Sequence, residues 1–218
     1  MEILRPKSEE KYRAELARLD GMLDFERKYD EYGFIAGLDE AGRGPLAGPL
    51  VTAGVVFEIG YENPLIYDSK AISEKKREEL FEVIKEDALY YEIRIVSEED
   101  IDRYNIYRAD QMAMQEIAET IPCDFVITDA MPLALNKEMV SLVKGDQKSI
   151  SVAAGSILAK VTRDRIMKYF DEIYPVYGFA QNKGYPTKAH MQAIEEYGIT
   201  PIHRKSFGPV AFRQEKLF

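Results

Sequence analysis

The sequence predicts an α/β fold, one sheet with helices laid against it. Three observations carry that expectation: four short apolar runs of strand length, helical patterns between and after them, and enough chain for one substantial core. At 218 residues, with 46% hydrophobic and 31% charged residues, the composition is that of an ordinary globular domain.

The elements follow in order. Residues 8–30 place Tyr12, Leu16, Leu19 and Leu23 near helical spacing among charges, which predicts a helix packed loosely on the main body and ended by Tyr32 and Gly33. The expected organisation is therefore an N-terminal helical extension over 1–32 and a single domain over 33–218. Phe34, Ile35, Ala36, Gly37 and Leu38 read as a buried strand, and 50–57 as a second. A helix over 73–87 opens at a cap-like Ser73, followed by a third strand over 90–96. Residues 105–120 are helical, with Ile106, Met112, Met114 and Ile117 as core. Residues 124–128 form the next strand, 151–174 the best helix in the chain, and 187–197 another. A helical segment near Pro209 closes the series.

Several classes are disfavoured. No apolar run approaches the ~20 residues of a membrane span, and the first twenty residues have no apolar signal core, so export is not expected. One cysteine, Cys123, forms no internal disulfide and suits a reducing cytoplasm. With only His190 and His203 besides, zinc or thiol chemistry is not expected.

The densest signal is GLDEAGRGPLAGPL, Gly37 to Leu50. It sets Asp39 and Glu40 behind the first strand, where α/β sheets place ligands. Side chains alternate along a strand, so the two carboxylates cannot share a pocket unless the chain turns, and one is expected to act through its carbonyl. Gly42 and Gly44 lack Cβ and let backbone N–H groups approach a sugar or phosphate, with the forked donor of Arg43 between them. Asp129 ends the apolar run DFVITD, and Asp146 lies in KGDQKS just ahead of the long helix. Carboxylates gathered from strand ends and a loop suit a hard divalent cation, which takes oxygen ligands and keeps several waters.

Net charge is −9, but it is uneven: residues 1–136 hold 16 Lys and Arg against 30 Asp and Glu, and residues 137–218 hold 13 against 8. The halves are thus −14 and +5, and the second is the better candidate to face phosphate. The acidic excess over 74–102 reads as a helix and flanks turned to water.

Together, GLDEAGRGPLAGP, DSK (68–70), ITDA (127–130), KGD (144–146), AGSILAKVTRD (154–164), NKGYPTKAH (182–190) and HRKSF (203–207) resemble the type 2 ribonucleases H, the bacterial ribonuclease HII family, across roughly residues 33–210. The resemblance implies a ribonuclease H-like fold, a central mixed sheet flanked by helices with a helical C-terminal region. It implies a Mn2+- or Mg2+-dependent endonuclease with a two-metal mechanism, which cuts the RNA strand of RNA/DNA hybrids and incises duplex DNA 5′ to embedded ribonucleotides. By motif, Asp39, Glu40, Asp129 and Asp146 become the metal and catalytic set. Gly42, Arg43 and Gly44 would surround the 2′-hydroxyl and scissile phosphate. Tyr185 would lie against the next sugar, and Ser69 and Lys70 would contact the backbone. Lys160 would be mainly a structural partner of Asp164, with phosphate contact as its second role. Two departures stand out: Ala71 where a second lysine is usual, and Gly155 where the helix more often carries alanine, at ~1 kcal/mol of helix propensity unless close contact requires it.

The terminal QEKLF, with Gln214, Leu217 and Phe218, resembles the short peptides that dock in the bacterial sliding clamp; a locally packed terminus is the alternative. A monomer is expected. Rival readings are a junction resolvase of the same fold and a non-catalytic nucleic-acid or nucleotide binder. The order GxxxxGK[ST] is missing from the glycine-rich turn, which disfavours an ATPase or kinase.

Overall fold

The structure, a computed structural model, describes residues 9–214 except the side chains of Lys11 and of 212–214. Its strands are β1 (Ile35–Ala41), β2 (Leu50–Val56), β3 (Tyr90–Val96), β4 (Phe125–Asp129) and β5 (Glu138–Leu142). The helices are α1 (Glu9–Met22), α2 (Asp24–Lys28), α3 (Glu74–Asp87), α4 (Glu98–Tyr104), α5 (Ile106–Thr120), α6 (Ile150–Ile173), α7 (Phe179–Asn182), α8 (Lys188–Tyr197) and α9 (Gly208–Gln214). One mixed five-stranded sheet has the order β3-β2-β1-β4-β5, antiparallel among the first three strands and parallel from β1 through β4 to β5. None of the described helices is long and apolar enough to cross a membrane.

Strand alternation sends two sets of side chains to two helical layers. Val51, Ala53 and Val55 of β2 join Leu80 and Ile84 of α3 and Ile157 and Leu158 of α6 in the largest core. Ala36 and Leu38 of β1, with Val56, meet Met114 and Ile117 of α5 on the opposite face. The central helix can lie this close because β1 has a gap: a Cβ on Gly37 would land on the backbone of Ser151 and Val152. Gly155 has the same origin. A Cβ there would stand 3.0 Å from the Ala53 carbonyl oxygen and 3.2 Å from that of Gly37, so the helix gives up propensity for close approach to the sheet.

The N-terminal helices are held more firmly than a loose extension. Leu19, Met22 and Leu23 belong to the largest core. Glu26 of α2 accepts hydrogen bonds from the Ser149 hydroxyl (2.5 Å) and the Ser151 N–H (3.1 Å), so it satisfies donors at the start of α6. Burial holds this carboxyl above its usual pKa.

Three elements had no sequence signal strong enough to mark them: β5, EMVSL, is short and largely unburied, α4 was hidden in the acidic stretch, and α7 is a single turn of four residues. That stretch does not simply face water: Glu78 pairs with Arg165 at 2.5 Å, and Asp102 accepts from Lys205 N–H and Ser206 N–H, both at 2.9 Å.

Candidate active site

Asp39 and Glu40 lie inside β1, not beyond it. The strand runs on to Ala41 because β2 keeps pairing with it, Asp39 opposite Ala53 and Glu40 opposite Thr52. The pair therefore falls on opposite faces, Asp39 toward α6 and Glu40 toward α5. Asp39 is buried, and its Oδ1 accepts the Glu40 N–H at 2.8 Å. Burial, then the charges of Glu40 and Asp129, holds its carboxyl well above the carboxylate range, against a hydrogen bond from Ser156. Glu40 is pushed up to about 8 by burial and then by Asp110, with Arg43 pulling the other way.

Asp129 closes β4 one rung past the Leu38–Thr128 pair, which sets it beside Asp39 on the α6 face; its Oδ1 accepts the Gly145 N–H at 2.8 Å. Asp146 is buried in the 3-10 turn Gly145–Gln147 ahead of α6, its pKa raised by burial and then by Asp129 and Asp68. Lys70 is the nearby cation: burial disfavours its charge, but Asp146, Asp39, Asp68 and Asp129 outweigh it and raise its pKa. Among the described residues no three carboxylate, imidazole or thiol groups are drawn together into a ready-made metal site. The donor set still fits a hard divalent cation. It is all oxygen, it is crowded with like charge, and Glu40 Oε2 is buried without a hydrogen-bond partner.

Beside these acids, residues 42–49 form a loop held from beneath by two buried arginines. Arg163 donates to the carbonyls of Pro49 (2.9 Å), Ala47 (3.1 Å) and Lys183 (2.9 Å). Arg204 donates to those of Gly48 (2.9 Å), Pro45 (2.9 Å) and Arg43 (3.2 Å). Burial lowers both guanidinium pKa values, Arg163 to about 10 and Arg204, which also faces Arg163, to about 9, so both stay charged at neutral pH. Gly42 adopts φ 107°, a conformation L side chains rarely take, and a Cβ there would meet the Arg163 side chain.

The Tyr185 ring is half-exposed and stands over Gly44, where a Cβ would lie 3.3 Å from its Cε1. Its carbonyl accepts from His190 Nδ1 at 2.9 Å, and His190 Nε2 meets His203 Nε2 at 3.1 Å. His203 Nδ1 accepts the Thr200 N–H at 2.9 Å. This chain of partners fixes both tautomers: His203 donates from Nε2, and His190 accepts there. Burial lowers the pKa of His190; burial and then His190 push His203 down to about 4.

Glu40, Gly42, Arg43, Lys70, Lys160 and Tyr185 line one cleft of about 310 Å³. Gly44 and Ser69 complete it, with the Ser69 hydroxyl 3.0 Å from that of Ser156. Lys160 pairs with Asp164 at 2.6 Å. Of the four acids only Glu40 lines this cleft; Asp39, Asp129 and Asp146 do not. Leu217 and Phe218 lie outside the described residues, as does the side chain of Gln214. Sequence reasoning passed over Ser156, Arg163 and Arg204, although all three fall in the motif blocks. It passed over Asp110 because that residue sits in a helix read as core.

The family model for ribonuclease HII matches residues 36–210. Curated relatives of that name include one from Clostridioides difficile (strain 630), 53% identical over 200 residues, covering 89% of this chain and 78% of the relative. Another from Bacillus subtilis (strain 168) is 49% identical over 195 residues, covering 87% and 76%. Among solved structures, ribonuclease H2 from Pyrococcus horikoshii OT3 superposes with a TM-score of 0.73 at 25% identity, covering 84% of this chain and 98% of that one. The ribonuclease HII in a PCNA complex from Archaeoglobus fulgidus gives 0.67 at 29%, covering 78% and 93%. A Bst-RNase HIII in complex with Mn2+ shares the fold, with a TM-score of 0.61 at 14% identity, covering 84% and 70%. From its sheet to its motif blocks, the chain belongs to the ribonuclease HII family and is an endoribonuclease of that type.

Proposed function

We propose that this ribonuclease H cuts the RNA strand of RNA/DNA hybrids and also incises duplex DNA on the 5′ side of embedded ribonucleotides. The observation that carries this reading is the loop 42–49: its carbonyls are turned inward onto Arg163 and Arg204, beside the acids and under Tyr185. With the carbonyls of Arg43, Pro45, Ala47, Gly48 and Pro49 so held, the backbone N–H groups of Gly42, Arg43 and Gly44 would be offered to a scissile phosphate and to the 2′-hydroxyl that distinguishes RNA from DNA. Tyr185 supplies a flat apolar face to the adjoining deoxyribose. Ser69 and Lys70 position the strand backbone.

Asp39, Glu40, Asp129 and Asp146 would hold Mn2+ or Mg2+. When bound, such ions lower the pKa of an attacking water and stabilise the leaving oxygen. Asp39 is fixed by the Glu40 N–H and Asp129 by the Gly145 N–H, so both carboxylates are oriented before substrate arrives. Lys70 offsets their charge. A junction resolvase gives no role to Tyr185 standing over the turn of Gly42, Arg43 and Gly44. The tail with Gln214, Leu217 and Phe218 would dock on a sliding clamp; in support, the ribonuclease HII of Archaeoglobus fulgidus forms a complex with PCNA. The reading places the chain in ribonucleotide removal in the cytoplasm, as a monomer, with residues 1–32 as an extension of the catalytic domain 33–218.

The test is incision of a labelled DNA duplex with one ribonucleotide, in Mg2+ or Mn2+, by the wild type and Asp39→Asn, with an all-DNA duplex as control. Metal-dependent cutting 5′ to the ribonucleotide that disappears in the variant is the expected result. Cutting of the control, or undiminished cutting by the variant, would overturn the proposal.

A further inference from the structure

Asp110 is a carboxylate that the chemistry above does not use. It sits on α5, fully buried, at the rung where Thr52 faces Glu40 across β1 and β2. Its Oδ1 is 3.5 Å from the Thr52 hydroxyl, and its Oδ2 is 3.6 Å from Arg43 Nε without a hydrogen bond. Arg43 is shared: its Nη1 lies 3.9 Å from Glu40 Oε1, and the guanidinium faces the Tyr107 ring at 5.9 Å. Meanwhile the Arg43 carbonyl is gripped by Arg204 at 3.2 Å. The side chain thus hangs between two carboxylates from an anchored backbone and closes on neither.

A guanidinium that closed on Glu40 would occupy the same oxygens a divalent cation needs, and would bring like charge to the site. Burying an acid is costly unless a cation is near, and Arg43 is the cation beside Asp110. We propose that Asp110 is a positioning residue, the counter-ion that draws Arg43 away from Glu40 and leaves the Glu40 carboxylate to a divalent cation. The inference rests on the metal-dependent reading above and adds a device that sets metal affinity. It also accounts for Glu40 Oε2 being buried and unpaired although an arginine is near.

The experiment titrates Mn2+ into the full chain at fixed pH, with free Mn2+ read by its EPR signal and without substrate. The proteins are the wild type, Asp110→Asn, Arg43→Ala and the double variant. Asparagine keeps the size of Asp110 and its contact with Thr52 but removes the charge. The expected result is Mn2+ binding weakened about tenfold in Asp110→Asn, the low end of effects from residues that orient metal ligands. The double variant should return to the affinity of Arg43→Ala alone. A crystal structure of Asp110→Asn should show the guanidinium closed to hydrogen-bond distance on Glu40. Unchanged Mn2+ affinity in Asp110→Asn overturns the proposal. So does a double variant as weak as Asp110→Asn, or an Arg43 that stays off Glu40 in the variant crystal. If wild type and Arg43→Ala both bind no Mn2+, the metal-dependent reading itself falls. A melt followed by circular dichroism identifies a misfolded Asp110→Asn, in which case Asp110→Glu, which keeps the charge and must retain wild-type Mn2+ affinity, decides the matter.

Discussion

Replacing His203 with asparagine should make the protein less sensitive to acid, although less stable at neutral pH. In the wild type His203 is held neutral: a proton added at Nδ1 would face the Thr200 N–H at 2.9 Å, and one added at His190 Nε2 would face the His203 N–H at 3.1 Å. The folded pKa is depressed to about 4, against the ordinary histidine value of 6.5. The unfolded chain therefore takes up a proton that the folded chain refuses. The stability His203 contributes is complete above its unfolded pKa and is lost as pH falls through its folded pKa. Between about pH 7 and pH 5 that loss is roughly 2 kcal/mol, and the lowered pKa of His190 adds to it in the same direction. Urea unfolding at both pH values, metal-free, would measure it, because carboxylates common to the two proteins cancel in the difference. The gap between wild type and His203→Asn should narrow on acidification. Curves that fall in parallel, or an imidazole NMR titration of His203 near 6.5, would refute the reasoning.

Gly37→Ala should destabilise the fold by roughly 3 kcal/mol or prevent folding, because the new methyl meets the backbone of α6 rather than a movable side chain; chemical denaturation reads it. Arg204→Ala should cost on the order of 3 kcal/mol, since three carbonyls lose charged donors in a buried setting, and should lower cleavage more than the loss of stability explains. Glu26→Ala should cost roughly 1–2 kcal/mol by removing a cap at the start of α6, and limited proteolysis should then cut first within residues 9–32.

Much of the layout was legible because apolar period and turn residues act locally. β3 and the bodies of α3, α5, α6 and α8 fall where their patterns put them, within one or two residues. β1 was read too short, since two acids look like a strand end, yet ladder bonds to β2 hold them in the sheet. The glycine-rich run was legible as a loop. What makes it rigid was not, because Arg163 and Arg204 reach it from 114 and 156 positions away along the chain. Asp110 was illegible for the same reason: an aspartate on the inner face of a helix acquires meaning only when Arg43 is seen beside it.

The buried arginines also bear on the charge of the whole molecule. A chain of net −9 is a poor host for a polyanion if charge is counted at the surface. Here part of the positive charge is sited behind the main chain, with two guanidiniums facing the carbonyls of residues 43–49. Mobile ions cannot enter that interior, so the positive potential it lends the cleft is screened less than that of a surface lysine. On the proposed reading, the grip on an anion lying across residues 42–44 would be built into the fold itself, and would depend less on salt than the net charge suggests.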